Sequence, residues 1–498
     1  MPAASAPVLA PPGGPWRNAA EGALAAAGAF AVMAATAWAA LLALDADDIA
    51  PLSRLVPALL SLACGGDVSL SATASPSGDG PATGLLGMLG GGEGLTVGLE
   101  GQVTAMPLTL TFLGATVLGL GFFRPLRRRA RPAPALLVAR TGGAVAVAVL
   151  LLPLSAALAR GTARLPEEVT GRLGNGGRIG SLADDALSSV TFRADAATTV
   201  LLGLLGLLVV LGGGCVAARR TTLPRPLALS RLRLRWNPVA SALTAIGAAV
   251  SAVVLAAAAV AAVAALTGAD RAATATGTLL LAGANLPVVL LTSGLGASWQ
   301  AGIRREQSDG GGLLGMLGGS GRTEGGAADR NLTLGQWSGA GLPLWLIGLV
   351  LLTCLLVLAG YLAAARTPVR TAREEADALL GRHLELALRT ATAVALAVMP
   401  TCLAAQGSLR LGVSVMDNAL GGVTAGLDGA VRLSGLTAFV LTGLAAYAGS
   451  RLHGLRAGRR DTPAPTARGG TRPPARTGRT GSSGRVRVPS DSASATPL

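Results

Sequence analysis

The chain contains no lysine: all 41 of its basic residues are arginine. That removes the phosphate-cradling lysine of a P-loop and the Schiff-base lysine of many covalent enzymes. Histidine is nearly absent too, with only His383 and His453. The four cysteines, Cys64, Cys215, Cys354 and Cys402, show no spacing that matches a metal site. Three of them fall in apolar runs and read as small hydrophobes. Aromatics make up 3% of the chain, and the basic C-terminal region has none on which bases could stack, so no nucleic-acid partner is expected. Charged residues are 13% of the total, about half of the roughly 25% usual in a soluble domain. No Ser/His/Asp, Cys/His or metal-ligand constellation appears, so neither a catalytic role nor a cofactor is expected.

What the chain does contain is apolar sequence in uninterrupted runs. Eight are near the ~20 residues needed to cross a bilayer core: 22–44, 106–123, 136–159, 196–216, 238–266, 342–365, 388–406 and 431–450. Their mid-portions hold almost no ionisable residue, which argues against an Asp/Glu proton relay. The first run is longer than the core of a signal peptide and reads as an uncleaved helix. The expectation is an all-α integral membrane protein. The arginine-only, glycine- and alanine-rich composition is that of a GC-rich bacterial genome, which makes the bacterial plasma membrane the expected location.

Two further apolar stretches are interrupted. Ile49–Cys64, "IAPLSRLVPALLSLAC", holds Pro51 and Pro57; Gly277–Trp299, "GTLLLAGANLPVVLLTSGLGASW", holds Asn285 and Pro287. Counting the second as a crossing would invert everything after it. The repeat pattern argues against doing so. LLGMLGG occurs at Leu85–Gly91 and again at Leu313–Gly319, and "RTGGAVAVAV" (Arg140–Val149) parallels "RTATAVALAV" (Arg389–Val398). Each half runs long helix, interrupted segment, LLGMLGG, helix, Arg-rich linker, RT-initiated helix, polar loop, helix and Arg-rich end. This predicts a tandem duplication, residues 1–237 and 238–450, of four helices each, with the interrupted segments re-entrant or interfacial. Eight crossings follow, with both termini cytoplasmic.

The charge distribution agrees. On this topology the cytoplasmic segments carry 28 Arg against seven acids, and the outer segments 13 Arg against 19 acids, as the positive-inside rule requires. Residues 451–498 lack apolar periodicity and are expected to be a disordered, Arg-rich cytoplasmic tail. The tail and the Arg-rich loops would attract anionic lipid headgroups; no protein partner is legible.

Paired interrupted stretches at matching positions of two repeats point to a transporter's binding region. Pro51, Pro57, Asn285 and Pro287 are therefore the candidate ligand region, set against a plainer reading as packing lids. Arg140 and Arg389, each opening the third helix of its half, are candidate headgroup anchors whose side chains snorkel to the interface.

Several loop and boundary motifs extend this picture: "MPLTLTFLG" (Met106–Gly114), "FFRPLRRR" (Phe122–Arg129), "ARRTTLPRP" (Ala218–Pro226), "AGANLPVVLL" (Ala282–Leu291), "NLTLGQ" (Asn331–Gln336) and "AARTPVR" (Ala364–Arg370). With them the chain resembles the streptophobe family, hydrophobic multi-pass proteins of Streptomyces and relatives, from about Gly22 to Arg451. The resemblance implies an integral membrane protein and carries over no activity, cofactor or functional residue. Two functions are expected to compete: a transporter or permease for a small solute or lipid with its site between the repeats, and a non-catalytic envelope scaffold that binds partners.

Overall fold

The computed structural model describes residues 14–74, 97–128, 133–164, 189–218, 223–224, 229–265, 270–296, 299–307, 332–333, 338–339, 342–368, 380–415 and 418–460. Both LLGMLGG segments lie outside the described residues, as does the chain beyond Arg460. Residues up to Gly454 form one compact unit; of the second, which begins at Leu455, the described residues are 455–460.

Each of the eight long apolar runs is a helix. In chain order the helices are α1 (Pro15–Ala43), α2 (Leu52–Ala63), α3 (Leu108–Phe123), α4 (Pro134–Leu158), α5 (Ala196–Ala217), α6 (Arg231–Ala265), α7 (Asp270–Ala282), α8 (Asn285–Gly294), α9 (Leu344–Arg366), α10 (Arg382–Ala405) and α11 (Val431–Arg460). Seven of them, α1, α4, α5, α6, α9, α10 and α11, are long and apolar enough to cross a membrane. At 16 residues α3 is shorter, and α7 and α8 form a pair bent by 64°. Large apolar side chains stand exposed on these helices: Leu150 at 65%, Val253 at 70% and Leu444 at 65%. Water would not tolerate so much apolar surface, but lipid does.

Small residues set the helix contacts, as they do where lipid provides no hydrophobic drive between helices. A Cβ added at Gly22 would stand 1.9 Å from the Arg140 carbonyl, and one at Gly143 would stand 1.9 Å from that of Ala19. So α1 and α4 pack backbone to backbone. In the second half, Gly449 meets the Val357 carbonyl in the same way, at 2.2 Å, which brings α11 against α9.

Two expectations are corrected here. The protein is not all-α, because one end of the helix bundle carries a sheet. Its strands are β1 (Val68–Ala74), β2 (Val97–Ala105), β3 (Arg160–Ala163), β4 (Val190–Ala194), β5 (Trp299–Gln307), β6 (Leu332–Thr333), β9 (Gly407–Val415) and β10 (Asn418–Gly429); β7 (Ser338–Gly339) and β8 (Leu342–Pro343) form a separate pair. The eight pair antiparallel in the order β3-β4-β1-β2-β9-β10-β5-β6. The four strands of the first half thus stand in the order third, fourth, first, second, and those of the second half, β9-β10-β5-β6, follow in a matching order. The halves meet at β2 and β9, registered from Val97↔Val415 to Ala105↔Gly407. The second correction concerns the tail: residues 451–460 are not disordered but the end of α11, in which the backbone bonding of the apolar run before them continues.

Strand alternation gives the sheet two unlike faces, since paired residues of antiparallel strands point the same way. On one face Val68, Ala72, Val190 and Phe192 are buried, and Val68 and Phe192 pack against Ala58 of α2 and Ala156 of α4. In the second half Trp299 and Leu427 cover Cys402 and Ala405 at the end of α10. The other face is polar, with Gln102 and Thr104 of β2 registered to Arg410 and Ser408 of β9. The apolar face thus packs on α2 and α4 in the first half and on the end of α10 in the second.

Candidate functional site: a cleft at the junction of the halves

The polar face of the central strands roofs an open-sided cleft of about 1400 Å³. Thr104, Ser408, Arg410, Asp428 and Gln300 line it from β2, β9, β10 and β5, and Asp67 from the turn between α2 and β1. Below them the walls are apolar: Leu202, Leu205 and Val209 of α5 on one side, Pro400 and Leu403 of α10 on the other. The cleft therefore lies where α5, from the first half, faces α10, from the second, beneath the β2–β9 seam. Thr104 and Ser408 join across that seam through their hydroxyls at 2.7 Å.

Two carboxylates border the α2–α5 corner. Asp195 caps α5, accepting from the amides of Ala197 at 3.2 Å and Thr198 at 3.1 Å. Hydrogen bonds from Thr198, then the Ala197 amide, hold its carboxyl below the usual aspartate value, as expected when the charged form is the one being bonded. Asp67 is pushed the other way, first by burial and then by the neighbouring Asp195 charge, with a bond from Gln102 opposing. Gln102 Nε2 donates to Asp67 Oδ2 at 3.3 Å.

No family model, no curated protein and no solved structure matches the chain. The site is therefore read from its own geometry.

None of the residues singled out in the interrupted segments lines this cleft. Asn285 is engaged elsewhere: its Oδ1 accepts from the Leu108 amide and its Nδ2 donates to the Met106 carbonyl, both at 3.0 Å. The Ala284 amide in turn donates to Thr109 Oγ1 at 2.9 Å. The α7–α8 break and the start of α3 thus satisfy one another's exposed backbone, so Asn285 pins the two halves together with the very groups that a ligand would have used. Pro287 is the third residue of α8, where a missing N–H costs nothing. Pro51 flanks the start of α2, its carbonyl accepting from Arg54 and Leu55, and Pro57 sits inside α2 without ending it.

Arg140 does not reach outward to headgroups. Its side chain is 1% exposed, pairs with Glu21 of α1 at 2.9 Å, donates to the Gly121 carbonyl at 3.0 Å and lies 5.2 Å from the Phe122 ring centre. A guanidinium enclosed by α1, α3 and α4 already holds an ion pair and a carbonyl bond inside the bundle, so snorkelling would forfeit bonds already made. Arg389 pairs with Glu385 one turn earlier on α10 and is 19% exposed, so it too is largely turned inward.

The cleft residues escaped the sequence reading because they come from four strands, a turn and two helices spread along the chain. The available signal was the alternation in "SLRLGVSV" (Ser408–Val415) and "VSLSATA" (Val68–Ala74), a period of two that marks a half-buried strand.

Proposed function

We propose that the chain is a permease-like protein of a bacterial plasma membrane that receives a small solute or a lipid in the cleft between its halves. It would stand among the streptophobe proteins it resembles, cross the membrane eight times and keep both termini in the cytoplasm. The cleft carries the functional reading. It is large, it lies at the seam of two similarly ordered halves, and its polar roof stands over apolar walls.

The eight-stranded sheet supports the topology. Strands that share a sheet lie on one side, so the chain between them must leave and return. On this reading α3 and α4 make one round trip, α5 and α6 a second, and α9 and α10 a third. A further crossing by α7 and α8 would carry β5 away from β10, its partner from Trp299↔Gly429 to Gln307↔Gly421. The bent pair therefore stays on the sheet side. In α3, 16 residues rise about 24 Å; the flanking Met106, Pro107 and the turn at Pro125–Arg128 complete the span. The matching strand orders support a tandem duplication, and the positive-inside rule turns the sheet outward.

Cysteine accessibility in intact cells tests this. With the four native cysteines replaced, Ser408→Cys reports the roof of the cleft and Leu202→Cys its α5 wall. A membrane-impermeant maleimide should label both from outside, and Gly206→Phe, one turn from Leu202, should protect the wall position alone. Labelling confined to inverted vesicles would overturn the topology. Labelling of the wall that ignores the obstruction would overturn the site.

A further inference from the structure

Resting on the cleft reading above, we propose that the occupant is a phospholipid with a zwitterionic, amine-bearing head, admitted sideways between α5 and α10 from the leaflet beneath the sheet.

The walls argue for chains. Leu202, Leu205, Val209 and Leu403 line the cleft and are also 42%, 54%, 65% and 58% exposed. Among the described residues, those of α5 and α10 that line the cleft carry no polar side chain, so the way in between the two helices is apolar. An acyl chain can slide in without leaving apolar surroundings, whereas a small hydrophilic solute would gain nothing from these walls. The volume of about 1400 Å³ also exceeds the ~300–1,000 Å³ of pockets that hold compact small molecules.

The roof argues for the head. Among the described residues its lining carries one guanidinium, Arg410, and two carboxylates, Asp67 and Asp428. Arg410 stands opposite Gln102 in the β2–β9 register, and Gln102 in turn donates to Asp67, so positive and negative groups flank one amide. A purely anionic head would meet one favourable charge and two unfavourable ones. A head carrying both phosphate and ammonium finds a partner for each, the phosphate at Arg410 and the ammonium at the carboxylates. Gly206 leaves room for this occupant: a Cβ there would meet nothing within 4 Å.

The test is thermal unfolding of the purified full-length protein in detergent with three probes: palmitoyl-oleoyl phosphatidylethanolamine, phosphatidylglycerol with the same chains, and chain-free glycerophosphoethanolamine. The ethanolamine lipid should raise the unfolding midpoint more than the glycerol lipid, and the chain-free head should leave it unmoved. Gly206→Leu should abolish the lipid shift without lowering the lipid-free midpoint. If it does lower that midpoint, Leu403→Trp obstructs the cleft from the opposite wall. Asp67→Asn should erase the preference for the ethanolamine lipid. A shift by the chain-free head that Gly206→Leu abolishes would overturn the lipid assignment while leaving the cleft a ligand site. An equal or larger shift with the glycerol lipid would overturn the head assignment. Shifts that neither obstruction touches would overturn the cleft reading itself.

Discussion

Replacing Asn285 with leucine tests whether the α7–α8 break is a structural pin or a ligand contact. Leucine keeps the side-chain bulk and removes both amide functions. Two hydrogen bonds disappear, to the Met106 carbonyl and the Leu108 amide, each 3.0 Å long and part-buried. A typical bond contributes about 1 kcal/mol net, and stranding its partner away from water adds more, so the expected loss is about 2–3 kcal/mol. Chemical unfolding in mixed micelles, followed by circular dichroism, should register that loss in protein that has seen no ligand. The neighbouring Thr109→Val removes the reciprocal acceptor of the Ala284 amide. Because both contacts hold the same junction, the double variant should be non-additive by about 0.5 kcal/mol or more. A lipid-free stability equal to that of the wild type would refute the reasoning and return Asn285 to the list of ligand-binding candidates.

Arg140→Met should destabilise the first half by about 3 kcal/mol, the lower end for a broken buried pair because Glu21 keeps partial access to water; adding Glu21→Gln should restore much of this in the same unfolding assay. Gly22→Ala drives a methyl into the Arg140 carbonyl and should cost at least about 2 kcal/mol or prevent assembly. Gly142→Ala, with nothing within 4 Å of its added Cβ, should be neutral or stabilise by up to about 1 kcal/mol through helix propensity. Equal effects of these two alanines would contradict the α1–α4 contact. Asp195→Ala should cost about 1 kcal/mol at neutral pH through the lost cap. The folded carboxyl sits below its ordinary 3.8, so its contribution is present above that value and fades as pH falls through the folded pKa. Unfolding midpoints of wild type and Asp195→Ala should therefore converge in strong acid and separate on return to neutral pH.

The helices were legible because their cause is local. A segment that must satisfy its own backbone in lipid forms bonds four residues apart, and about 20 apolar residues announce it. Every long run, from 22–44 to 431–450, has its counterpart among the helices of the fold. The sheet was not legible in the same way. Its seam joins Thr104 to Ser408, 304 positions away, and windows long enough to find a crossing average out strands of two to twelve residues. The alternation of Ser408, Arg410 and Gly412 with Leu409 and Leu411 was on view, but nothing local says which strand lies beside it.

The candidate site divides along the same line. Asn285 was recognisable as a polar group in a broken apolar stretch, and that break is real. What occupies its amide is the backbone of residues 106–108, which only the fold could bring there. Arg140 read as a helix-end cation because sequence gives its position along the helix and not the side it faces; Glu21 and Phe122 enclose it only once α1 and α3 have packed. By itself, then, the sequence determined the membrane class and the places of the helices, both of which depend on composition and nearest neighbours. Tertiary structure alone decided the β2–β9 seam, the burial of Arg140 and the cleft between α5 and α10, because each is made by groups brought together from distant parts of the chain.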